Sequence, residues 1–256
     1  MRWRMSDILR PGWRAGIVLC GLAAALAGCA NGKNGISADK AFALSASALS
    51  GSDSYGLNGE VSILDPNGVV ADYSSYNGQV TGHGQLKLTW TGGRAIRTRA
   101  ADGPPAYRPL QLLSVVQHGN AKVGYADGDA EGKSPDGTVT LRLELNPDAA
   151  GKPFADGLRG EMAQLRSAVK AKKLDAARRT EANRILDDAD RDLEAALSSI
   201  KASTVILWTA DRKTWFPRKM SEQSELVYTW KGKTYREKRM SVTNFLPVGR
   251  NGTITE

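Results

Sequence analysis

The chain has 256 residues, a formal net charge of +8 and a hydrophobic fraction of 41%. It is long enough to bury a full core, and this composition excludes an intrinsically disordered protein. Its two cysteines, Cys20 and Cys29, both lie near the N-terminus, which excludes a folded body stapled by disulfides.

The N-terminal segment carries an export signature. A leader with four arginines is followed by the uncharged run 15–27, which is too short to span a bilayer and fits the h-region of a signal peptide. The run closes with Leu26-Ala27-Gly28-Cys29. This motif resembles the lipobox of bacterial lipoproteins. The resemblance implies that residues 1–28 are cleaved and that Cys29 is acylated, the alternatives being an ordinary secretory signal or an uncleaved anchor.

Ala30 follows the cysteine. In Gram-negative lipoproteins an aspartate there favours the inner membrane, so the resemblance implies an outer-membrane protein that faces the periplasm. Loss of the leader removes four arginines and one aspartate, which lowers the net charge to +5. A mildly basic, exported chain argues against nucleic acid as a partner and favours anionic headgroups or an acidic protein.

Residues 29–54 are rich in Ala, Ser and Gly, which predicts a flexible tether with a short helix from Asp39 to Leu49. Strands are predicted over 59–146, because apolar and polar residues alternate in several segments and turn residues stand at Asp65–Gly68. The denser apolar run Leu110–Val116 predicts a strand buried on both faces.

Residues 156–202 have a helix-forming composition and apolar residues at helical spacing. We expect two helices joined near Lys172–Asp175, since one helix would run about 65 Å; the alternative is one long projecting helix that could dock a partner. Strands resume over 204–245, with a hairpin turn at Lys231–Lys233. The pattern predicts one α+β domain over 55–256, an antiparallel and possibly curved sheet with the helical segment inserted between two groups of strands.

Five acidic residues cluster in the second helical stretch: Asp187, Asp188, Asp190, Asp192 and Glu194. A metal pair would need carboxylates on the facing helix, which carries mostly Lys and Arg. An interhelical salt-bridge face, or simple solvation, is the better interpretation.

Asp127, Asp129 and Glu131 have the spacing that opens a calcium-binding loop. Position 12 of such a loop is Thr138, where a bidentate Glu should close the site, so a solvated acidic loop is favoured and no metal or cofactor is expected. The two histidines, His83 and His118, lie in separate segments, and no Gly-x-Ser-x-Gly elbow occurs. We therefore predict no catalytic residues.

Basic and aromatic residues interleave in the last strands, which suggests a binding surface for headgroups or saccharides: Trp230, Lys231, Lys233, Tyr235 and Arg236. The simpler interpretation is that the aromatic residues belong to the core and the lysines lie on the solvent-exposed face of a β-hairpin.

The sequence thus predicts a lipid-anchored envelope protein that binds a protein partner without catalysis, in a structural, accessory or inhibitory role. The alternative is a carrier or receptor for a lipid or lipoprotein. A carrier needs an apolar cavity between sheet and helices, whereas a docking protein needs a filled core and an exposed apolar patch.

Overall fold

The computed structural model describes residues 35–82, 85–92, 110–126 and 136–247. The chain divides into two compact units, Met1–Asn34 and Gly35–Glu256, and every described residue belongs to the second. The lipobox and Cys29 lie outside the described residues. None of the described helices is long and apolar enough to cross a membrane.

The described residues form helices and strands in the following order: α1 (Ala38–Ser50), β1 (Tyr55–Leu64), β2 (Val70–Thr81), β3 (Gln85–Gly92), α2 (Leu113–Gln117), β4 (Ala121–Tyr125), β5 (Thr138–Leu145), α3 (Pro147–Ala171), α4 (Ala176–Leu197), β6 (Lys201–Asp211), β7 (Pro217–Trp230) and β8 (Lys233–Pro247).

All eight of these strands form one antiparallel sheet in the order β3-β2-β1-β8-β7-β6-β5-β4. The first and last strands pair with each other, with Tyr55 opposite Pro247 and Leu64 opposite Lys238. Two meanders, β1–β3 and β4–β8, therefore join along this inner pair, and the α3–α4 hairpin is inserted between β5 and β6. The predicted α+β class is confirmed.

The core lies on one face of the sheet, hereafter the helix-covered face. Because side chains alternate across a strand, every second residue of the central strands points to it; Leu141, Ile206 and Trp208 are fully buried there. Helix α1 packs Phe42 against Trp208 with ring centroids 5.8 Å apart. Trp208 also donates from its Nε1 to Ser45 Oγ at 2.8 Å, so the buried polar atoms of both residues are satisfied.

Helix α1 corrects the predicted extent of the tether. Its buried residues include Phe42 and Ser45, and its N-cap is Ser37 rather than Asp39. The alanines and serines that suggested a tether let this helix lie close to the sheet. The compact unit begins at Gly35, before the predicted boundary at residue 55. It contains the whole described core, so it holds what it needs to fold without residues 1–34.

The run 110–116 forms a turn and helix α2 instead of the predicted strand. Leu112, Val115 and Val116 are buried in the core cluster. A dense apolar run carries no periodicity, so it does not distinguish a buried strand from a buried helix.

Helix α3 begins at Pro147, before the predicted start at residue 156. Asn146 caps it by accepting from the backbone N–H groups of Asp148 and Ala149 at 3.0 and 3.1 Å. A Cβ on Gly151 would lie 3.1 Å from the Ile200 carbonyl oxygen, so glycine lets this helix approach the start of β6 closely. The break between α3 and α4 agrees with the prediction of two helices.

Candidate functional site: a pocket under the helical hairpin

The α3–α4 hairpin covers an apolar pocket on the helix-covered face, hereafter the hairpin pocket. Its volume is about 230 Å³. Its walls come from the base of the hairpin, which we define as residues 147–158 and 193–200, and from β7 and β8. The lining residues are Phe154, Leu158, Leu193, Ala196, Leu197, Ile200, Leu226, Tyr228, Glu237 and Arg239.

Two charged residues stand among these apolar walls. The Arg239 guanidinium lies over the Phe154 ring, 5.3 Å from its centroid, and its Nε donates to Glu237 Oε1. Only 12% of the Arg239 side chain is exposed, so its charge is held in a largely dry environment by an ion pair and an aromatic face. The hairpin pocket thus combines an apolar wall with one fixed cation and one fixed carboxylate.

A buried polar network lies next to Arg239, which is opposite Ser224 in the sheet register. Glu222 is buried and accepts from Ser224 Oγ at 2.9 Å, and Ser224 Oγ lies 2.9 Å from Thr204 Oγ1. Burial raises the pKa of Glu222 to about 7, although the Ser224 hydrogen bond and the Arg239 charge act in the opposite direction. No hydrogen-bond partner is found among the described residues for the buried Ser241 Oγ, which lies opposite Glu222 in the sheet register.

Aromatic residues of the β7–β8 hairpin extend the wall next to the hairpin pocket. Tyr228 stacks on Tyr235 with centroids 5.5 Å apart, and Tyr235 contacts Trp230 at 6.0 Å. Burial and the Glu237 carboxylate raise the pKa of Tyr228. The structure therefore brings Trp230 and Tyr235, both singled out in the sequence, to the neighbourhood of the pocket.

The basic members of that predicted cluster are engaged elsewhere. Lys231 lies over the Trp230 ring at 4.5 Å and forms an ion pair with Asp192 of α4 at 2.9 Å. Arg236 pairs with Glu225 at 2.9 Å, and Lys233 is exposed at the turn. The two loop residues Lys231 and Gly232 have positive φ, as a tight hairpin requires.

Three of the five acidic residues of α4 form the predicted interhelical salt bridges, whereas Asp188 pairs within α4 and Asp192 pairs with Lys231. Arg159 donates to both carboxylate oxygens of Glu194 at 2.8 and 2.9 Å. Arg166 binds Asp187 at 2.8 Å and Asp190 at 3.1 Å. These pairs join α3 and α4 from the edge of the base, at Glu194, into the rest of the hairpin.

A second concave region lies on the opposite face of the sheet, hereafter the open face. This groove has a volume of about 430 Å³ and is lined by side chains of β1, β2, β5, β6, β7 and β8. Its apolar members include Leu207, Val70 and Met240, the last two being 54% and 49% exposed. Glu60 and Arg142 add opposite charges to the lining.

The remaining predicted site residues lie apart from the hairpin pocket. Cys29, His83 and the acidic loop Asp127, Asp129 and Glu131 fall outside the described residues. His118 ends helix α2, where its ring contacts the Ser114 carbonyl oxygen. Within ranges 35–82, 85–92, 110–126 and 136–247, no group of three His, Cys, Asp or Glu side chains is placed to hold a metal.

Sequence reasoning missed Glu222 and Arg239. Residues 220, 222, 224 and 226 of β7 alternate to one face, so Glu222 and Ser224 stand between Met220 and Leu226. That alternation was the available signal, because a carboxylate flanked by core residues at a spacing of two must share their burial.

No family model matches the chain, and no curated protein matches it. Among solved structures, the chain is similar to a LolA-superfamily protein from Nitrosomonas europaea, with 10% identity and a TM-score of 0.22 over 82% of this chain and 92% of that one. It is also similar to an acyl-CoA thioesterase II from Mycobacterium marinum, with 10% identity and a TM-score of 0.18 over 75% of this chain and 80% of that one. At these TM-scores neither likeness identifies a family for the chain.

Proposed function

We propose that this chain is an exported, lipid-anchored envelope protein that binds a single-chain amphiphile in the hairpin pocket without catalysing a reaction. The observation that carries the proposal is the apolar pocket between sheet and hairpin, with the Arg239–Glu237 pair in its wall. Apolar ligand surface buried there is worth roughly 25 cal/mol per Å². The fixed charges supply the few polar contacts that orient a headgroup.

The size of the pocket limits the ligand. A volume of about 230 Å³ lies below the range of roughly 300–1,000 Å³ that is usual for drug-sized ligands. A ligand with one acyl chain fits this space better than a ligand with several. This favours a single-chain lipid over an entire multiply acylated lipoprotein.

The lining chemistry supports binding over catalysis. The residues that line the hairpin pocket include no Ser, Thr, Cys, His or Lys, the side chains that most often serve as activated nucleophiles. Their carboxylate, Glu237, is paired with Arg239. The site is equipped to hold a ligand in place.

The test is a binding titration with a fluorescent long-chain fatty acid on the chain from Gly35 onward. Ala196→Phe places a ring in the pocket, and we expect at least about tenfold weaker binding. Ala195→Phe is the matched control, because Ala195 is the exposed neighbour on the same helix. Equal affinities of both variants and the unsubstituted chain would contradict the proposal, provided that their circular dichroism spectra agree.

Native mass spectrometry of protein purified from envelope extract identifies the natural ligand. A retained adduct with the mass of a single-chain lipid, lost in Ala196→Phe, would support the proposal. A bare mass would count against tight lipid binding.

The anchor is tested separately. We expect cells that express the full chain to incorporate labelled palmitate into it, and Cys29→Ser to abolish the label and release the protein from the membrane fraction. Covalent acyl chains add roughly 0.8 kcal/mol of membrane affinity per buried CH₂, so loss of the acyl chains would be decisive for anchoring.

The groove on the open face favours a second candidate function, docking of an envelope protein. Val70 and Met240 are about half exposed in it, whereas core residues of the other face are buried. A photo-crosslinker at Met240 should capture a defined protein in intact envelopes, and one at the exposed Thr229 should not. Capture of lipid alone at both positions would exclude this docking role.

A further inference from the structure

The tip of the hairpin, which we define as residues 170–179, carries a concentrated positive charge. Ten residues hold five cations against the single carboxylate of Asp175. The cations are Lys170, Lys172, Lys173, Arg178 and Arg179, and all five are exposed. The tip therefore presents a small, strongly basic surface at the end of two helices.

The cations of the tip differ from those closer to the base. Arg159 and Arg166 pair across the hairpin, and Arg184 pairs with Glu181 and Asp188. In the part of the chain that the structure describes, Lys170, Lys172 and Lys173 form no ion pair. Among the described residues Arg178 pairs only with Asp175, at 3.4 Å, and Asp175 is also the N-cap of α4.

The composition of the tip limits what it can recognise. The tip carries no aromatic residue and one large apolar residue, Leu174, whereas the centre of a stable protein interface is built on buried aromatic and apolar side chains. Lysines on flexible stems are point charges without a preferred geometry, and they suit a diffuse negative surface. A bilayer with anionic lipids attracts such a cluster with about 1 kcal/mol for each basic residue at the surface.

We propose that the tip of the hairpin docks on an anionic lipid membrane. This contact is independent of the acyl anchor, since it requires only the exposed cations, and it is independent of whether the hairpin pocket holds a ligand. The contact would set the orientation of the domain relative to the membrane surface.

The experiment is vesicle co-sedimentation with the chain from Gly35 onward, which lacks Cys29. Vesicles of phosphatidylcholine mixed with phosphatidylglycerol are compared with vesicles of phosphatidylcholine alone, at low and high salt. We expect binding to the anionic vesicles that weakens as salt rises, and little binding to the neutral ones.

The triple variant K170Q/K172Q/K173Q should reduce partitioning to anionic vesicles at least about tenfold. The matched control is K213Q/K219Q/K238Q, which removes the same charge from exposed lysines of the β-sheet domain. Equal losses in both variants would show that net charge alone governs binding and would overturn the proposal.

Failure of the unsubstituted chain to bind anionic vesicles would also overturn it. The competing occupant is an acidic protein, and a photo-crosslinker at Ala171 in intact envelopes distinguishes the two. Capture of one acidic protein, together with no vesicle binding, would assign the tip to that protein instead.

Discussion

The two halves of the helical hairpin are stabilised by different forces. At the base, Phe154 and Leu197 are buried against the sheet, and the hairpin pocket lies between them and β7. In the distal half (residues 159–192), Leu165 is 48% exposed, Leu186 is the buried leucine, and the two helices are joined by Arg166 and its partners Asp187 and Asp190. The base therefore depends mainly on apolar burial against the sheet, whereas ion pairs between the helices contribute more in the distal half.

The largest expected effect comes from truncating the base. Phe154→Ala removes a buried ring that also supports Arg239, and we expect a loss of roughly 3–5 kcal/mol in the free energy of unfolding. Leu165→Ala, on the same helix, should change it by less than about 0.5 kcal/mol. Urea denaturation of both variants checks the comparison. Equal costs would show that the distal half is packed as tightly as the base.

The second prediction concerns pH, because the carboxyl group of Glu222 is buried on the helix-covered face of the sheet. The pKa of this carboxyl is raised to about 7 in the folded protein, against an ordinary value of 4.5. The folded state therefore retains a proton that the unfolded state loses, so stability is full below about pH 4.5 and falls as pH rises through about 7.

We expect the unsubstituted chain to lose on the order of 2 kcal/mol more stability than Glu222→Gln between about pH 5 and pH 8. Denaturation curves of both proteins at each pH give this difference directly. The contributions of all other titrating groups cancel, because both proteins contain them. Parallel pH profiles would mean that Glu222 is ionised in the folded protein throughout this range.

The same two halves show what the sequence can predict. Opposite charges on two adjacent helical stretches are enough to predict a salt-bridge face between them. They do not specify that Arg159 pairs with Glu194 or Arg166 with Asp187, because these partners are 35 and 21 residues apart along the chain. The strands with one-face alternation, such as Thr138–Leu145, are predictable from local periodicity. The α+β class follows from the order of these segments along the chain.

The rest depends on contacts between distant residues. Ser45 belongs to the core because Trp208, far along the chain, donates a hydrogen bond to it. Glu222 is buried because β7 lies between β6 and β8 and the side chain of Glu222 points to the core, like those of Met220 and Leu226. Leu226 lines a pocket, yet its sequence context is that of any core leucine. Strand pairing, strand register and the pocket depend on contacts across the whole fold, so no local sequence pattern predicts them.

A third prediction, of smaller effect, uses salt to separate the halves. Raising ionic strength from about 0.1 to 1 M shortens the screening length from roughly 10 to 3 Å, which weakens exposed ion pairs. Hydrogen exchange at amides around Asp187 should accelerate in high salt, whereas exchange around Phe154 should stay unchanged.

A charge swap tests the same ion pairs directly. Arg159→Glu should accelerate exchange in the distal half, and adding Glu194→Arg should restore protection. Failure of this charge swap would show that burial holds the distal half.

The smallest effect is expected at the tip. The triple variant K170Q/K172Q/K173Q removes three exposed charges that form no ion pair in the described part of the chain, so its urea midpoint should match that of the unsubstituted chain. Removal of like charges relieves repulsion and loses no contact that holds the fold. A lower midpoint would assign these lysines a structural role. An unchanged midpoint, combined with weaker vesicle binding, would show that the positive charge of the tip contributes to membrane binding and not to the stability of the fold.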